Sequence, residues 1–170
     1  MLSDANLEIL FTKARSHKSW LNKEVTEDQI DQIYNLLKFA PTSGNCCPAR
    51  FTFIKSDEAK ERLMPTLDKG NIDKSMKAPY VVIISYDTEF YESLSILSPH
   101  NDAKAGFIGK ENKIKNTAEF NSTLQGAYID LSILPLSRVG INRSFSSSLL
   151  IKVNLAGQQL PEVGANFNRL

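Results

Sequence analysis

Residues 26–55, TEDQIDQIYNLLKFAPTSGNCCPARFTFIK, place a helix, a polar loop and a strand in direct succession. Thr26 and Gln29 have the spacing of a capping box, and apolar residues follow them at helical spacing. Pro41 predicts that the helix ends before it, because the residue that precedes a proline avoids helical backbone angles. Residues 51–55 alternate and predict a strand. The segment therefore predicts a helix followed closely by a strand.

The flanking sequence continues this mixture of helices and strands. Ser3 is expected to cap a first helix, and Ser56 is expected to cap a helix that runs through Leu63. Residues 80–86, YVVIISY, form a β-branched run that suits a central strand covered on both faces. Helices that flank a central sheet are the expected architecture, and the expected fold class is α+β.

Further elements are expected after the central strand. A helix is predicted near residues 89–97, and residues 99–117 are polar without a sustained period. They predict a long loop, and long loops in compact domains often lie over functional sites. Thr117 is expected to cap a longer helix that Pro135 ends. Residues 148–155 are the best candidate for a late strand.

The length and charge of the chain argue against several classes of protein. Its 170 residues fit a single domain, residues 1–170. Its 20 Lys and Arg nearly balance its 19 Asp and Glu, so no net positive field favours nucleic acid. No apolar run approaches the roughly 20 residues that span a bilayer, so no membrane partner is expected. No signal peptide is visible, and the predicted compartment is the cytoplasm.

The two cysteines, Cys46 and Cys47, are adjacent. A bridge between neighbours would close a strained ring, far from relaxed disulfide geometry. His17 and His100 are isolated in sequence, so no zinc-ligand pattern appears, and both are expected at the surface. The pattern predicts two buried or half-buried thiols in a reduced, intracellular protein.

Three separated segments carry polar residues that suit a bound ligand. In the first, residues 14–20, Arg15, Ser16 and Lys18 supply the charge and donors that a phosphate group needs. The alternative is a solvated basic helix end, which the helix dipole favours at that position.

The second segment is the loop within residues 40–51, which Pro41 begins. Thr42, Ser43 and Asn45 present hydrogen-bonding groups, and the glycine between them allows close approach of the backbone. Such a loop can bind the polar edge of a planar heterocycle. A simple turn with side-chain capping is the alternative.

The third segment is residues 70–74, ahead of the central strand. Asn71 and Lys74 lie three residues apart and could share one helix face. A capped helix end explains them equally well from local chemistry.

Together these segments resemble the nitroreductase family, whose FMN-dependent flavoproteins share the elements Arg-Ser-x-Arg/Lys and Ala-Pro-Ser-x-x-Asn-x-x-Pro. The sequence is more similar still to the family's malonic semialdehyde (3-hydroxypropionate-forming) reductases. The segments of that branch are Ala-Arg-Thr/Ser-His-x-x-Trp-Leu, Gly-Pro-Thr-Ser-x-Asn-Cys-x-Pro-Ala-Arg, Gly-Asn-Leu-x-Lys, Glu-Phe-Tyr-Glu and Asn-Ser-Ser-Leu-Gln-x-Ala-Tyr. Their counterparts here are residues 14–21, 40–50, 70–74, 89–92 and 121–128.

The resemblance implies an α/β/α sandwich with a mostly antiparallel central sheet, which forms a homodimer and binds FMN at the subunit interface. The positions that match cofactor-binding residues of the family are Arg15, Ser16, Lys18, Pro41, Thr42, Ser43, Asn45, Asn71, Lys74, Gln125 and Arg169. By that resemblance, the basic residues face the phosphate and ribityl chain. The loop at 41–45 approaches the isoalloxazine, in many relatives from the partner subunit. Asn71 and Lys74 lie near its N1–O2 edge.

The implied activity is ping-pong hydride transfer from NADH or NADPH through FMN to a small organic acceptor. The acceptor would be an aldehyde such as malonic semialdehyde, a nitroaromatic compound or a quinone. The flavin carries the chemistry, so neither a protein catalytic residue nor a metal is required. A lysine at position 74 would stabilise the anionic reduced flavin. No Gly-x-Gly-x-x-Gly occurs that would help to choose between NADH and NADPH.

The resemblance holds within residues 1–131, whereas residues 132–170 diverge. Relatives continue there with a strand and loop that close over the flavin, and they extend beyond the length of this chain. The alternative function is therefore a degenerate flavin-binding module with little or no turnover.

Overall fold

The computed structural model describes residues 3–15 and 19–137, with the backbone alone at residue 130 and residues 133–137. The α-helices and strands of this part are, in chain order, α1 (Asp4–Leu7), α2 (Glu27–Leu37), β1 (Ala49–Ile54), α3 (Asp57–Leu63), α4 (Lys69–Lys77), β2 (Val81–Tyr86), α5 (Leu94–Leu97) and α6 (Glu111–Ser137). A π-helical turn, Glu8–Thr12, extends α1. The late strand predicted at residues 148–155 lies outside the described residues.

The predicted helix caps at Ser3, Thr26 and Ser56 are confirmed. The Oγ atoms of Ser3 and Ser56 each accept a hydrogen bond from the backbone N–H three residues later, both at 3.3 Å. At α2 the capping box is complete, because Thr26 Oγ1 accepts from the Gln29 N–H (3.3 Å) and Gln29 Oε1 accepts from the Thr26 N–H (3.0 Å). Local side chains therefore set the start of each of these helices.

The two described strands pair antiparallel, with a register that runs from Ala49 opposite Tyr86 to Ile54 opposite Val81. Nearly every residue of β2 is buried, as predicted for a central strand covered on both faces. β1 is buried to the same extent, although its alternating sequence did not predict that. Side chains alternate across a strand, so successive residues face opposite layers of helices. The predicted antiparallel sheet between helices is confirmed for these two strands.

Two apolar clusters hold the helices against the sheet. The cluster on one face contains Ile30, Ile33 and Leu37 of α2, Phe51 and Phe53 of β1, Val82 and Ile84 of β2, and Ile129 of α6. The cluster on the other face contains Ala59 and Leu63 of α3, Ala78 after α4, Ile54 and Val81 of the strands, and the half-buried Trp20 and Ile72. Each large side chain that leaves water contributes about 1.5–3 kcal/mol, so these two layers account for much of the stability.

Helix α6 crosses β2 in close contact at Gly126. A Cβ at this position would lie 2.8 Å from Ile84 Cδ1, which is inside normal van der Waals distance. The absence of a side chain therefore lets the helix approach the sheet. The same approach carries Gln125 to the start of β1, where its amide meets the backbone.

The predicted start of the long helix at Thr117 is wrong, because α6 begins at Glu111. A turn that Lys110 N–H closes on the Phe107 carbonyl (2.9 Å) leads directly into the helix. Most residues of this first part are polar and exposed, and the half-buried Ile114 marks its inner face. Apolar residues at helical spacing are therefore too few in this part to predict the helix. The predicted loop at 99–117 ends before Glu111, where α6 begins.

The predicted end at Pro135 is also wrong, since α6 continues to Ser137. A proline removes the hydrogen bond to the carbonyl four residues earlier, but the neighbouring turns of a long helix keep theirs. The helix predicted near residues 89–97 is instead a 3-10 turn, Phe90–Ser93, followed by the short α5. Asp87 Oδ1 accepts from the Glu89 N–H (2.7 Å), which starts the chain in a tight turn.

Within the described part of the chain, no helix combines the length and the apolar character that crossing a membrane requires.

Candidate functional site

A cavity of about 850 Å³ opens where α2 ends and β1 begins. This loop cavity is lined by Tyr34, Leu37, Lys38, Phe39, Ala40, Pro41, Thr42, Asn45, Cys47, Ala49, Arg50, Phe51, Asp87, Leu97 and Gln125. Its volume is in the range of sites that bind organic molecules of cofactor size. Four of the residues predicted from sequence are gathered here: Pro41, Thr42, Asn45 and Gln125. Ser43 is exposed beside them and is not part of the lining.

The loop over this cavity, residues 41–48, has an unusual backbone. Gly44, Asn45 and Cys47 all have positive φ, of 58°, 53° and 39°. Residues other than glycine rarely adopt this left-handed region, and each such residue costs about 1–3 kcal/mol unless its surroundings fix it. Contacts with other residues must therefore stabilise the loop in this conformation.

Two buried amides of α6 contact the two ends of the loop. Asn121 Oδ1 accepts from the Ser43 N–H (2.8 Å), and its Nδ2 donates to the Thr117 carbonyl (2.8 Å). Gln125 Oε1 accepts from the Ala49 N–H (3.0 Å). Asn121 was quoted in the sequence motif but was not predicted as a site residue. The sequence signal for Asn121 was a second amide one helical turn away at Gln125, on a helix face that also carries Ala118, Ser122 and Ile129.

Within the loop, Thr42 and Cys47 form a second set of contacts. Thr42 Oγ1 accepts from the Cys47 N–H (3.2 Å), and the Cys47 thiol donates to Asn45 Oδ1 (3.4 Å). Asn45 Nδ2 donates to the Leu97 carbonyl (2.7 Å). These bonds turn the polar side chains of the loop toward one another and toward the cavity.

The two thiols occupy different surroundings, and both cysteines are free, as predicted. Cys46 is buried in the cluster around Phe90, whereas Cys47 is half-buried on the cavity wall. Burial raises the pKa of the Cys46 thiol from 9.0 to about 11, because the thiolate would be poorly solvated there. The predicted pair of buried or half-buried thiols is confirmed.

An ion pair between Arg50 and Asp87 lines the cavity and was not predicted from sequence. The guanidinium also donates to the backbone carbonyls of Ala49 (3.0 Å) and Cys47 (3.3 Å). The positive charge of Arg50 is therefore largely balanced where it faces the cavity. Burial raises the pKa of the nearby Tyr34 hydroxyl, and Arg50 opposes that shift. The sequence signal was a charged residue in a strand whose other residues are uncharged.

Asn71 and Lys74 lie in α4, three residues apart, as the predicted shared helix face requires. Both are half-buried, and neither lines the loop cavity. Among the described residues, Lys74 has no carboxylate within ion-pair distance, although Asp73 on the same helix pairs with Lys77 at 2.7 Å. This α4 surface is thus a second polar wall, separate from the cavity within one chain.

The indole of Trp20 ties the chain after residues 16–18 to this second wall. Its Nε1 donates to the Lys74 carbonyl (2.7 Å), and its ring packs on the cluster beneath α4. The first and third segments identified from sequence are therefore neighbours in the fold. Ser16 and Lys18 themselves lie outside the described residues, as do His17 and Arg169.

Arg15 is exposed and folds back on the end of the first helix. Its Nη1 donates to the carbonyls of Thr12 (3.0 Å) and Ala14 (2.6 Å). This geometry matches the alternative of a solvated basic helix end, and it leaves the remaining guanidinium nitrogens at the surface. His100 is exposed, as predicted. Over the described ranges, no group of three or more His, Cys, Asp or Glu side chains is arranged to hold a metal ion.

A sandwich of helices around an antiparallel sheet, with a polar loop cavity at the start of β1, defines a three-layered α+β fold with a ligand-sized site. The family model described as "Nitroreductase family" matches residues 12–123. A protein of Polynucleobacter asymbioticus, provisionally named NADH dehydrogenase/NAD(P)H nitroreductase, is 48% identical over 132 residues, which span 78% of this chain and 67% of that protein. A protein of Rhodopseudomonas palustris with the same name is 49% identical over 131 residues, or 77% and 67% of the two chains. The chain belongs to the nitroreductase family.

Solved structures of this family share the fold at low sequence identity. A provisionally named nitroreductase of Exiguobacterium sibiricum, solved in complex with FMN, has a TM-score of 0.65 at 19% identity, with 78% of this chain and 70% of that chain covered. A nitroreductase family protein of Streptococcus pneumoniae has a TM-score of 0.64 at 18% identity, with 76% and 72% covered. The predicted nitroreductase-like fold is confirmed, with helices around a small antiparallel sheet.

Proposed function

We propose that the chain is an FMN-dependent NAD(P)H oxidoreductase that acts as a homodimer on small organic acceptors. The observation that carries this proposal is the loop cavity with its held polar loop, in a chain of the nitroreductase family. The FMN in the Exiguobacterium structure and the NAD(P)H in the relatives' names support the cofactor and the electron donor.

The residues of the cavity fit an isoalloxazine ring. A flavin is a flat, largely apolar ring system with one edge of alternating hydrogen-bond donors and acceptors. The cavity combines apolar side chains such as Phe51 and Leu97 with the polar groups of Thr42, Asn45 and Gln125. This mixture of an apolar wall and a few polar groups is what cofactor sites require. When bound, FMN would accept a hydride from NAD(P)H and pass it to the acceptor.

The α4 surface fits the polar edge of the same group. Lys74 is half-buried without a carboxylate partner among the described residues, and Asn71 offers an amide on the same helix face. A positive charge in such a position stabilises negative charge that develops on a bound ring. Arg15, with Ser16, Lys18 and Arg169, would hold the phosphate, as guanidinium and ammonium groups commonly do.

The proposed homodimer rests on an apolar stripe along the exposed side of α6. Phe120 is 69% exposed and Leu131 is 36% exposed. Leu124 and Ala127 lie between them at helical spacing, half-buried and exposed respectively. An exposed stripe of this kind marks an interface. The loop cavity and the α4 surface are separate within one chain, and a second protomer could bring a loop of one against the α4 of the other.

Within this function, we propose a substrate of the malonic semialdehyde type, with nitroaromatic compounds and quinones as other acceptors. The basis is the similarity of residues 14–128 to that branch of the family. We further propose a cytoplasmic protein with one domain, residues 1–170, of which residues 1–131 keep the family pattern and 132–170 diverge. The family model ends at residue 123, which favours the degenerate flavin-binding module as the second candidate.

Purified protein separates the two candidates. Flavin absorbance, or its appearance after added FMN, tests cofactor binding, and anaerobic addition of NADH and then NADPH tests reduction. The oxidoreductase is expected to be yellow and to bleach with at least one of the two donors. Colourless protein that takes up no FMN would contradict both candidates, whereas yellow protein that neither donor bleaches would identify the binding module.

A further inference from the structure

We propose that Asn121 and Gln125 are positioning residues that hold the flavin-facing loop, residues 41–48, in its binding shape. The role of the loop toward FMN rests on the proposed function above. The two hydrogen bonds themselves belong to the protein alone, so they can be tested without any ligand.

The two amides are placed to act as a pair. They lie four residues apart on α6, and the side chains are almost fully buried, at 1% exposure for Asn121 and 5% for Gln125. The bond from Asn121 Nδ2 to the Thr117 carbonyl fixes its amide so that Oδ1 faces the loop. A buried amide that loses its hydrogen-bond partner is left with an unsatisfied polar group away from water, so the loss of either contact is unfavourable.

The contacts bracket the strained part of the loop. Ser43 comes directly before the left-handed residues at positions 44, 45 and 47, and Ala49 is the first paired residue of β1. Because both contacts come from one rigid helix, they fix the distance between Ser43 and Ala49 that the strained backbone must span. The loop bonds of Thr42 and Asn45 then orient side chains that line the cavity. The protein thus orders the loop before a ligand arrives, which lowers the entropy that binding must spend.

This arrangement gives Gln125 a role that acts through the backbone of Ala49. Its Oε1 is committed to that N–H, while its Nε2 has no protein partner among the described residues. Gln125 can therefore line the cavity, as predicted, and still hold the loop. Asn121 lies behind the loop and acts on it through Ser43 alone.

Amide hydrogen exchange in the full-length protein without ligand tests the two bonds directly. Asn121→Leu and Gln125→Met keep the side-chain size and remove the acceptor oxygen. We expect Asn121→Leu to speed exchange at the Ser43 N–H by about fivefold and to leave Ala49 unchanged. Gln125→Met should speed exchange at the Ala49 N–H by about fivefold and leave the Ser43 N–H unchanged. Gln125→Glu keeps an acceptor oxygen and should retain protection at the Ala49 amide.

Ser122→Ala is the matched control, because Ser122 is buried on the same helix and its hydroxyl donates to the Glu119 carbonyl (3.0 Å), away from the loop. It should change neither amide. Asn121→Ala and Gln125→Ala serve if the larger apolar side chains prevent folding. Wild-type protein in which the Ser43 and Ala49 amides exchange as fast as open loop would overturn the proposal. The proposal would also be overturned if each acceptor-free variant sped hydrogen exchange equally at Ser43, at Ala49 and in the strands.

FMN titration then tests the consequence for binding. Each acceptor-free variant should bind FMN about tenfold more weakly than wild type, while the Ser122→Ala control stays close to it. Faster local exchange with unchanged FMN affinity would refute the positioning role. If wild type binds no FMN, the proposed function fails on that result alone, and the exchange measurements still decide whether the two amides hold the loop.

Discussion

Arg50 Nη2 lies 2.7 Å from Asp87 Oδ2 on the wall of the loop cavity, and each side chain is about a quarter exposed, at 27% and 24%. The antiparallel register produces this contact, because Arg50 pairs with Ser85 and Asp87 follows two residues later along the same side. The ion pair therefore lies at the end of the two paired strands, where the cavity begins.

Asp87→Asn is expected to reduce the free energy of unfolding by about 1–3 kcal/mol, because it leaves the half-buried guanidinium without its counter-charge. Urea denaturation measures the change. Asp73→Asn is the matched control, since its pair with Lys77 has the same 2.7 Å distance but is 78% and 69% exposed. Its expected cost is below about 0.5 kcal/mol. Equal losses in the two variants would contradict the interpretation.

Lys74→Ala is expected to slow the reduction of bound flavin more than it weakens FMN binding. The reason is that a lysine at the polar edge of the ring stabilises the charge of the reduced form more than that of the oxidised form. Stopped-flow absorbance with NADH or NADPH, beside an FMN titration, measures both quantities. Lys77→Ala, on the same helix but paired with Asp73, should leave both near wild type. Equal losses of rate and affinity after Lys74→Ala would argue against this role.

Arg15→Ala is expected to weaken FMN binding by about tenfold, because a charge-assisted hydrogen bond to the phosphate is lost. Fluorescence quenching on titration with FMN measures it, and riboflavin, which lacks the phosphate, provides the comparison. Riboflavin affinity should stay unchanged. Lys13→Ala is the control, since Lys13 pairs with Glu8 at 2.6 Å. Unchanged FMN affinity after Arg15→Ala would remove Arg15 from the phosphate site.

If the proposed homodimer forms, Phe120→Glu is expected to convert it into monomers, because it places a charge in the exposed apolar stripe of α6. Light scattering after size exclusion measures the mass. Asn112→Glu makes the same change of charge at an exposed position near the start of the helix and should remain dimeric. Wild-type protein that is monomeric at micromolar concentration would contradict the proposed interface.

Cys47 is expected to react with iodoacetamide well before Cys46 in the folded protein. At pH 8 a thiol with a pKa of about 11 is ionised in only about one molecule in a thousand, and the thiolate is the reactive form. Mass spectrometry of Cys46→Ser and Cys47→Ser measures each rate, and denatured protein should show similar rates for both. Because the folded pKa lies above the ordinary 9.0, the free energy of unfolding should fall as the pH rises from 9 to 11. Rapid labelling of Cys46 in folded protein would contradict its burial.

Local signals in the sequence predicted the first half of the fold well. The capping box at Thr26, the serine caps and the β-branched run each involve residues within a few positions of one another, and all three predictions are confirmed. The second half was predicted less well. The exposed start of α6 has few apolar residues, and the short helices around Phe90 depend on a turn at Asp87. Sequence patterns of helical period carry little information in such segments.

For the site, the sequence identified the candidate binding residues and the family to which the chain belongs. It identified the donor-rich loop, the pair Asn71 and Lys74, and the amide at Gln125, because each lies within a short motif. Only the tertiary structure decided how they are used. In the structure, the loop cavity and the α4 surface are separate within one chain. The strand register brings Arg50 and Asp87 together. The tertiary structure also set Asn121 against Ser43, which lie 78 residues apart in the chain. Such contacts depend on how α6 packs across the sheet, and packing over that distance leaves no local trace in the sequence.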